Sequence, residues 1–391
     1  MQGSEQPPPK PGDSPSIQSP DHDYRDALPQ GPAHRRGAGL NPGNRFEDTR
    51  VHVLGDERDR QQLERQWEGE DGKPVTVPLT VYKDKTQKLI NRVAPTSDVP
   101  FEWTVNPYRG CEHGCIYCFA RPYHEYLGFS MGLDFETKLV AKFDAPDMLA
   151  KELARPSWKG EPIVMSAITD IYQPIEKQHE IARRCLEVMV PCGQPVTTMT
   201  KNALVLRDTE LWAAASAMNT GRVTVTLVTL DDVLASKLEP RASSPTGRLR
   251  VIRELVKAGV QVSVNIAPVI PGLTDKEVPA ILEAVADAGV RRVAWVMLRL
   301  PYQLKELFLD WLWRHVPQRA GHVESLMRQV HGGKLYNARQ DQRGRGRGVI
   351  AAQIKQVFDV YCRRYGINRD IRPLRRDRFR RPSLDGQLGL F

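Results

Sequence analysis

Between about residues 99 and 300 the chain repeats one alternation, and this rhythm limits the available folds more than any other feature. Short apolar, β-branched runs recur at Ile163-Val164-Met165, Val196-Thr197-Thr198-Met199, Val223-Thr224-Val225-Thr226-Leu227, Val260 to Ile266 and Val293 to Leu298. The gaps carry helical patterns: Ile181 to Val190, Val278 to Ala288, and Arg248 to Ala258 with Leu249, Ile252, Leu255 and Val256 at helical spacing. Strand, helix, strand in succession implies parallel strands with right-handed crossovers. A further strand at Trp103-Thr104-Val105 brings the count to six βα units, short of a closed eight-unit barrel. The expected fold is α/β, a partial (β/α)6 barrel with its site at the carboxyl ends of the strands.

The same rhythm divides the chain. Residues 1–47 hold nine prolines and little aliphatic periodicity, which reads as a disordered arm. Its end, Arg35-Arg36-Gly37-Ala38-Gly39-Leu40-Asn41-Pro42, reads as a solvated linker in preference to a docking strip. Residues 48–98 form an N-terminal extension with strand candidates at Val51-His52-Val53-Leu54 and Val75-Thr76-Val77. Residues 99–300 are the core and 301–366 a helical extension. There Leu304 to Val316 carries Phe308, Trp311 and Trp313, read as packing on the barrel in preference to a platform for bases. Val349 to Tyr361 places Ile350, Ile354, Val357 and Tyr361 on one stripe. Residues 367–391 are expected to form a basic flexible tail.

Charge follows these divisions. The net +9 comes from 56 Lys and Arg against 47 Asp and Glu, yet the first 338 residues carry 42 of each sign. A generally basic surface is excluded; the surplus sits at the C-terminal end. Arg363 to Arg381 contains nine Arg and two Asp, able to neutralise DNA or RNA phosphates with Tyr365 and Phe379 available for stacking. The competing reading is a solubilising charge run. No apolar run approaches a membrane span, and Met1 to Gln6 followed by prolines offers no secretory signal. A cytoplasmic protein with no membrane partner is expected.

Three of the six cysteines, Cys111, Cys115 and Cys118, fall within eight residues. In a chain without a signal peptide such a triplet reads as metal binding before disulfides. Three close thiolates suit an iron–sulfur cluster, and Gly110 and Gly114 let the backbone curl around it. Zinc remains the alternative, with His113 or His124 as a fourth ligand. Cys185 and Cys192 read as ordinary buried cysteines.

The triplet, with Tyr117 before its last cysteine, resembles the signature of radical S-adenosylmethionine (radical SAM) enzymes. Asn106-Pro107-Tyr108-Arg109-Gly110-Cys111 and Thr169-Asp170…Gln173-Pro174-Ile175-Glu176 resemble the spore photoproduct lyase-like branch. This resemblance covers residues 99 to 300 and implies a [4Fe-4S] cluster held by Cys111, Cys115 and Cys118, with SAM chelating the open iron. Reductive cleavage of SAM would give methionine and a 5′-deoxyadenosyl radical that abstracts hydrogen from substrate, with flavodoxin or ferredoxin as electron donor. By the same resemblance Tyr117 lies against the adenine, and Ser166, Thr169 and Asp170 hold the methionine or ribose end.

Other positions are shared between readings. Lys201 resembles a lysine that meets the SAM carboxylate, and reads equally as a surface lysine. Thr226 is a weaker SAM candidate. Ala267-Pro268-Val269-Ile270-Pro271-Gly272-Leu273 resembles the adenine-contacting segment, or is a plain turn. Arg241 is left between a ligand contact and a helix-entry role beside Ser243 and Ser244, which read as caps. One departure is clear: the lyases carry a cysteine before a Thr-Ser-Asp run, where this chain has Ala167. A substrate other than spore photoproduct is expected.

The last residues, Gln387-Leu388-Gly389-Leu390-Phe391, resemble the peptide by which bacterial polymerases and repair factors dock on the DNA sliding clamp. The combined expectation is a radical SAM enzyme, lyase-like or modifying, that acts on nucleic acid in DNA repair or modification. The rivals are a radical SAM enzyme acting on a peptide or small metabolite, and a non-enzymatic iron–sulfur adaptor that binds DNA or the clamp.

Overall fold

The computed structural model describes residues 36–46, 78–94, 99, 101–339 and 342–383. Its strands are β1 (Thr80–Lys83), β2 (Ile90–Arg92), β3 (Trp103–Val105), β4 (Tyr108–Arg109), β5 (Lys138–Ala141), β6 (Ile163–Met165), β7 (Val196–Thr200), β8 (Gly221–Leu227), β9 (Val262–Val269) and β10 (Val293–Met297). The main sheet runs β10-β9-β8-β7-β6-β3-β2, with β2 antiparallel to β3 and every other neighbour parallel. The six parallel strands are the six read from the sequence. The sheet stays open, ending on β10 at one edge and β2 at the other. A small second sheet, β1-β5-β4, flanks the cysteines.

Register sorts the side chains. Val105, Met165, Thr198, Val223 and Val262 share one level and face through their pairings, and Val225, Val264 and Val293 share another level of the same face. This face is almost wholly buried. The other carries Thr104, Thr197, Thr224, Thr226, Ser263 and Asn265, so one side of the sheet is apolar and the other polar. The helices between strands form where periodicity predicts: Ile181–Met189, Pro245–Lys257 and Val278–Asp287. Ser244 Oγ accepts from Gly247 N at 3.1 Å with Pro245 opening the helix, which is the expected cap.

The C-terminal helices are Leu304–His315, Pro317–Val330 and Gly348–Arg364. Phe308 and Trp311 are buried, and Trp311 Nε1 donates to Lys237 O at 2.9 Å, so these two rings are packing, whereas Trp313 stays 38% exposed and departs from that expectation. In the last helix the buried stripe is Ala351, Ile354, Phe358 and Cys362, leaving Val357 36% exposed. The stripe turns by one residue from the expected one because Phe358 faces Trp295, at 6.2 Å between ring centroids.

Two terminal segments differ from expectation. Residues 36–46 are no solvated linker. Gly37 N and Ala38 N each donate to Glu136 at 2.9 Å, Arg36 reaches Glu136 O, and Asn44 reaches Glu125 O. A buried carboxylate aimed at two successive backbone N–H groups outweighs the strap's entropy. Residues 366–383 are no free tail either. Asn368 pairs with Val293, Arg222 donates to Arg372 O, Arg375 N to Asn219 O and Arg380 N to Cys192 O. The segment lies across the amino-terminal ends of the strands because the polar groups there supply its backbone partners. The remainder of the arm and extension, both early strand candidates, and Gln387–Phe391 lie outside the described residues.

Candidate active site

The cysteine loop leaves β4 and ends at the short helix Arg121–Leu127. Gly110 and Gly114 hold φ of +79° and +65°, and a Cβ on Gly114 would stand 2.7 Å from Glu136 Oε2. Only glycine allows both the turn and this approach. Arg121, wholly buried, donates through Nε to Cys115 O at 2.9 Å and through Nη1 to Gly132 O at 2.8 Å, while Nη2 meets Glu136 Oε1 at 2.5 Å. The carboxylate that seats the N-terminal strap therefore also anchors the arginine that grips the loop.

The three cysteines are unbridged. Burial, the Asp170 carboxylate and the other two thiols push Cys111 well above the ordinary thiol range. Burial pushes Cys115 up to about 12, against the pull of Lys201. These thiols share one local field, and ligation must remove their protons. Among the described residues no three His, Cys, Asp or Glu converge as ligands of a single ion. His113 is committed elsewhere, with Nδ1 3.3 Å from Asp170 Oδ2 and Nε2 3.1 Å from Asn202 Nδ2. His124 is buried beside Phe129 and Phe135 with both ring nitrogens unpartnered.

Around Cys115 lies a buried charge network that the sequence did not disclose. Tyr117 OH donates to Glu239, which also pairs with Arg248. Burial alone would raise Glu239, but Arg248 and Lys201 hold it below the usual carboxylate range. Burial would lower Lys201, but Cys115 and Glu239 raise it, and its Nζ stands 5.9 Å from the Tyr117 ring centroid. Lys201 is thus a half-buried ammonium beside the loop and not a fully exposed surface lysine.

The remaining candidates divide. Asp170 accepts from Tyr172 N at 2.9 Å, Thr200 Oγ1 at 3.0 Å and Lys201 N at 2.9 Å, besides meeting His113. With these partners it ties the loop to the ends of β6 and β7. Thr169 Oγ1 donates to Gly110 O at 2.6 Å and so also braces the loop. Ser166 is buried at φ +76°, with Oγ 3.1 Å from Thr198 Oγ1 and from Met199 O. Arg241 meets a carboxylate of the chain itself, Glu112 Oε2 at 2.9 Å, while Glu112 Oε1 accepts from Ile175 N. Gly272 abuts His322 and accepts from Arg319, so that end of the 267–273 turn is engaged in packing. Cys185 and Cys192 are buried on or just after the helix Ile181–Met189 and serve the core.

Thr226 is buried on the polar face of the sheet, in register with Asn265. Asn265 Oδ1 is buried without a hydrogen-bond partner. A buried orphan acceptor on a polar strand face calls for a ligand. Asn265 was missed, although the alternation Val262-Ser263-Val264-Asn265-Ile266 signals it. Soft, closely spaced thiols and a polar sheet face with an unsatisfied acceptor fit an iron–sulfur cluster and a polar cofactor.

Comparison with known proteins agrees. Residues 105–285 match the model of the radical SAM superfamily. An uncharacterized protein of Mycobacterium tuberculosis is 35% identical over 253 residues, 64% of this chain and 74% of that one. A radical SAM Nalpha-GlyT isomerase of Pseudomonas phage M6 is 24% identical, over 58% of this chain and 46% of that one. A point variant of spore photoproduct lyase superposes with a TM-score of 0.52 at 16% identity, covering 74% of this chain and 80% of that chain. That lyase complexed with dinucleoside spore photoproduct gives 0.50 at 15% identity, with the same coverage. The shared architecture, the cysteine loop and the matched residues lead to one assignment: the chain belongs to the radical SAM superfamily, enzymes that use a [4Fe-4S] cluster and SAM.

Proposed function

We propose that this radical SAM enzyme acts on nucleic acid in the cytoplasm, in repair or modification. The observation that carries this reading is the placement of charge. All nine arginines between Arg363 and Arg381 are exposed, against two aspartates. Guanidinium groups spaced along a chain pinned to the body neutralise successive phosphates. Their strip crosses the strand ends opposite the cysteines, so it holds a long polymer and does not touch the reacting atoms. A small metabolite gains nothing from it. The solved lyase complex with a dinucleoside supports the same direction, while Ala167 argues against spore photoproduct repair through the lyases' hydrogen donor.

When bound, the cluster and SAM supply reductive SAM cleavage and hydrogen abstraction. The chain's own residues hold and orient. Cys111, Cys115 and Cys118 are the iron ligands, and Arg121, Glu136, Thr169 and Asp170 keep the loop in shape. Lys201 places a positive charge beside Cys115, which favours its thiolate. Tyr117, held by Glu239, would meet the adenine, and Ser166, Thr226 and Asn265 would hold polar groups of the bound cofactor. Flavodoxin or ferredoxin is the electron donor, and Gln387–Phe391 docks on a bacterial sliding clamp.

The test uses reduced, reconstituted full-length chain with SAM and deuterated oligodeoxynucleotide, oligoribonucleotide or peptide mixtures. Deuterium appearing in 5′-deoxyadenosine from either nucleic acid is expected. Transfer from peptides alone, or none from nucleic acid, overturns the reading.

A further inference from the structure

Beside the cysteine loop the molecule exposes a collar of rings and guanidinium groups. Phe119 directly follows the last cysteine, Tyr126 lies on the helix Arg121–Leu127, Arg45 and Phe46 close the N-terminal strap, and Tyr302 follows β10. Chain segments far apart in sequence bring them together. Arg45 Cζ stands 3.8 Å from the Tyr302 ring centroid, 4.7 Å from Phe46 and 5.7 Å from Tyr126, and Phe46 and Tyr126 are 4.9 Å apart. Glu125, buried beneath, anchors Arg45 through Nε at 3.1 Å and leaves the guanidinium plane among the rings. On the other flank Arg299 Cζ is 5.2 Å from the Phe119 centroid.

These rings face outward: Tyr126 is 64%, Tyr302 58% and Phe46 52% exposed. None of the exposed valines or isoleucines among the described residues lines the cleft between them, and neither does any acidic residue. Aliphatic side chains would mark an apolar protein interface; rings with arginines mark stacking. The cleft holds about 170 Å³, well below the ~300 Å³ where enclosed small-molecule sites begin. It is a groove across which a polymer can lie. Tyr302 also holds φ of +54°, a left-handed conformation that is costly for a bulky residue and free for glycine. An exposed tyrosine kept in that conformation is kept for its ring.

We propose that this collar is the platform for unstacked bases of a single-stranded nucleic acid, leading the strand past Phe119 to the cysteine loop. The proposal rests on the nucleic-acid reading above and deepens it. Ring faces accept any base, and a duplex hides its base faces, so single strands are preferred over double. The arginines meet the phosphates between stacked bases.

The experiment is fluorescence anisotropy of the reconstituted full-length chain with labelled oligothymidylate and with a duplex of equal length. The variants are Tyr126→Ala and Tyr302→Gly, the second removing a ring while relieving the backbone, with melting temperature and iron content as fold controls. Each is expected to weaken single-strand binding about tenfold while duplex binding, through the arginine strip, is unchanged. Unchanged single-strand affinity in both variants overturns the collar, leaves its rings to a protein partner, and leaves the nucleic-acid reading standing. A parent chain that binds neither probe overturns both.

Discussion

Replacing Gly37 by alanine tests whether the strap of residues 36–46 belongs to the housing of the cysteine loop. The added Cβ would lie 1.8 Å from Gly114 O and 3.0 Å from Gly114 C. Both are backbone atoms of a loop gripped by Arg121, so the strap must lift. Lifting forfeits the donations of Gly37 N and Ala38 N to Glu136. Hydrogen bonds to a charged acceptor contribute about 1.5–3 kcal/mol each, and freed backbone regains about 1–2 kcal/mol per residue. The net loss is about 1–3 kcal/mol, lowering the melting temperature by about 1–2 °C per kcal/mol in a chain of this size. A mobile strap also uncovers Gly114, so a chelator should strip iron faster. Gly43→Ala is the matched control on the same strap, because its Cβ meets nothing within 4 Å. Differential scanning calorimetry and a timed chelation assay read both variants. If Gly37→Ala melts with the parent and releases iron at the parent's rate, the strap is not seated as described.

Other perturbations separate the parts of the site. Glu239→Gln strands the buried Arg248 without its carboxylate and should cost about 3–5 kcal/mol in denaturant titration; a loss under about 1 kcal/mol would dismiss the network. His124, which burial pushes down to about 4, stays neutral in the folded chain, whereas the unfolded chain takes up a proton below about 6.5. Stability present above that pH is lost as pH falls toward 4. His124→Phe should therefore narrow the difference between melting temperatures at neutral and mildly acid pH. It should not abolish it, because His315 is pushed down similarly by burial, Arg314 and Lys237; an unchanged difference refutes the assignment. Deleting Gln387–Phe391 should abolish binding to a bacterial sliding clamp while SAM cleavage continues, and equal binding by the truncated chain removes that partner.

The parallel strands were legible because each is a short apolar run bounded by a helical pattern, and the cysteines because three ligands lie within one loop. What stayed hidden depends on contacts between distant residues. Tyr117 and Glu239 are 122 residues apart, and Gly37 and Glu136 are 99 apart. A glutamate or arginine in a sequence reads as solvated, and only its partner makes burial tolerable. For Asp170 the resemblance implies only a contact with the methionine or ribose end of SAM, while its ties to β7 and the cysteine loop join residues 30 or more positions apart. The polar sheet face was within reach: Val223-Thr224-Val225-Thr226 alternates with period two, and reading it as an apolar run concealed Asn265's side of the sheet. The strap resisted prediction because glycines and prolines look like linker until a carboxylate is known to lie beneath them.

The central claim is that Cys111, Cys115 and Cys118 form the cluster site of a SAM-cleaving enzyme. Its most direct test is anaerobic reconstitution followed by reduction with SAM present, scoring iron content and 5′-deoxyadenosine together in the parent chain and in Cys115→Ala. The account predicts about four irons per chain and 5′-deoxyadenosine formation in the parent, with both lost in the variant. Zinc in place of iron in the isolated protein, or SAM cleavage that survives Cys115→Ala, would contradict it.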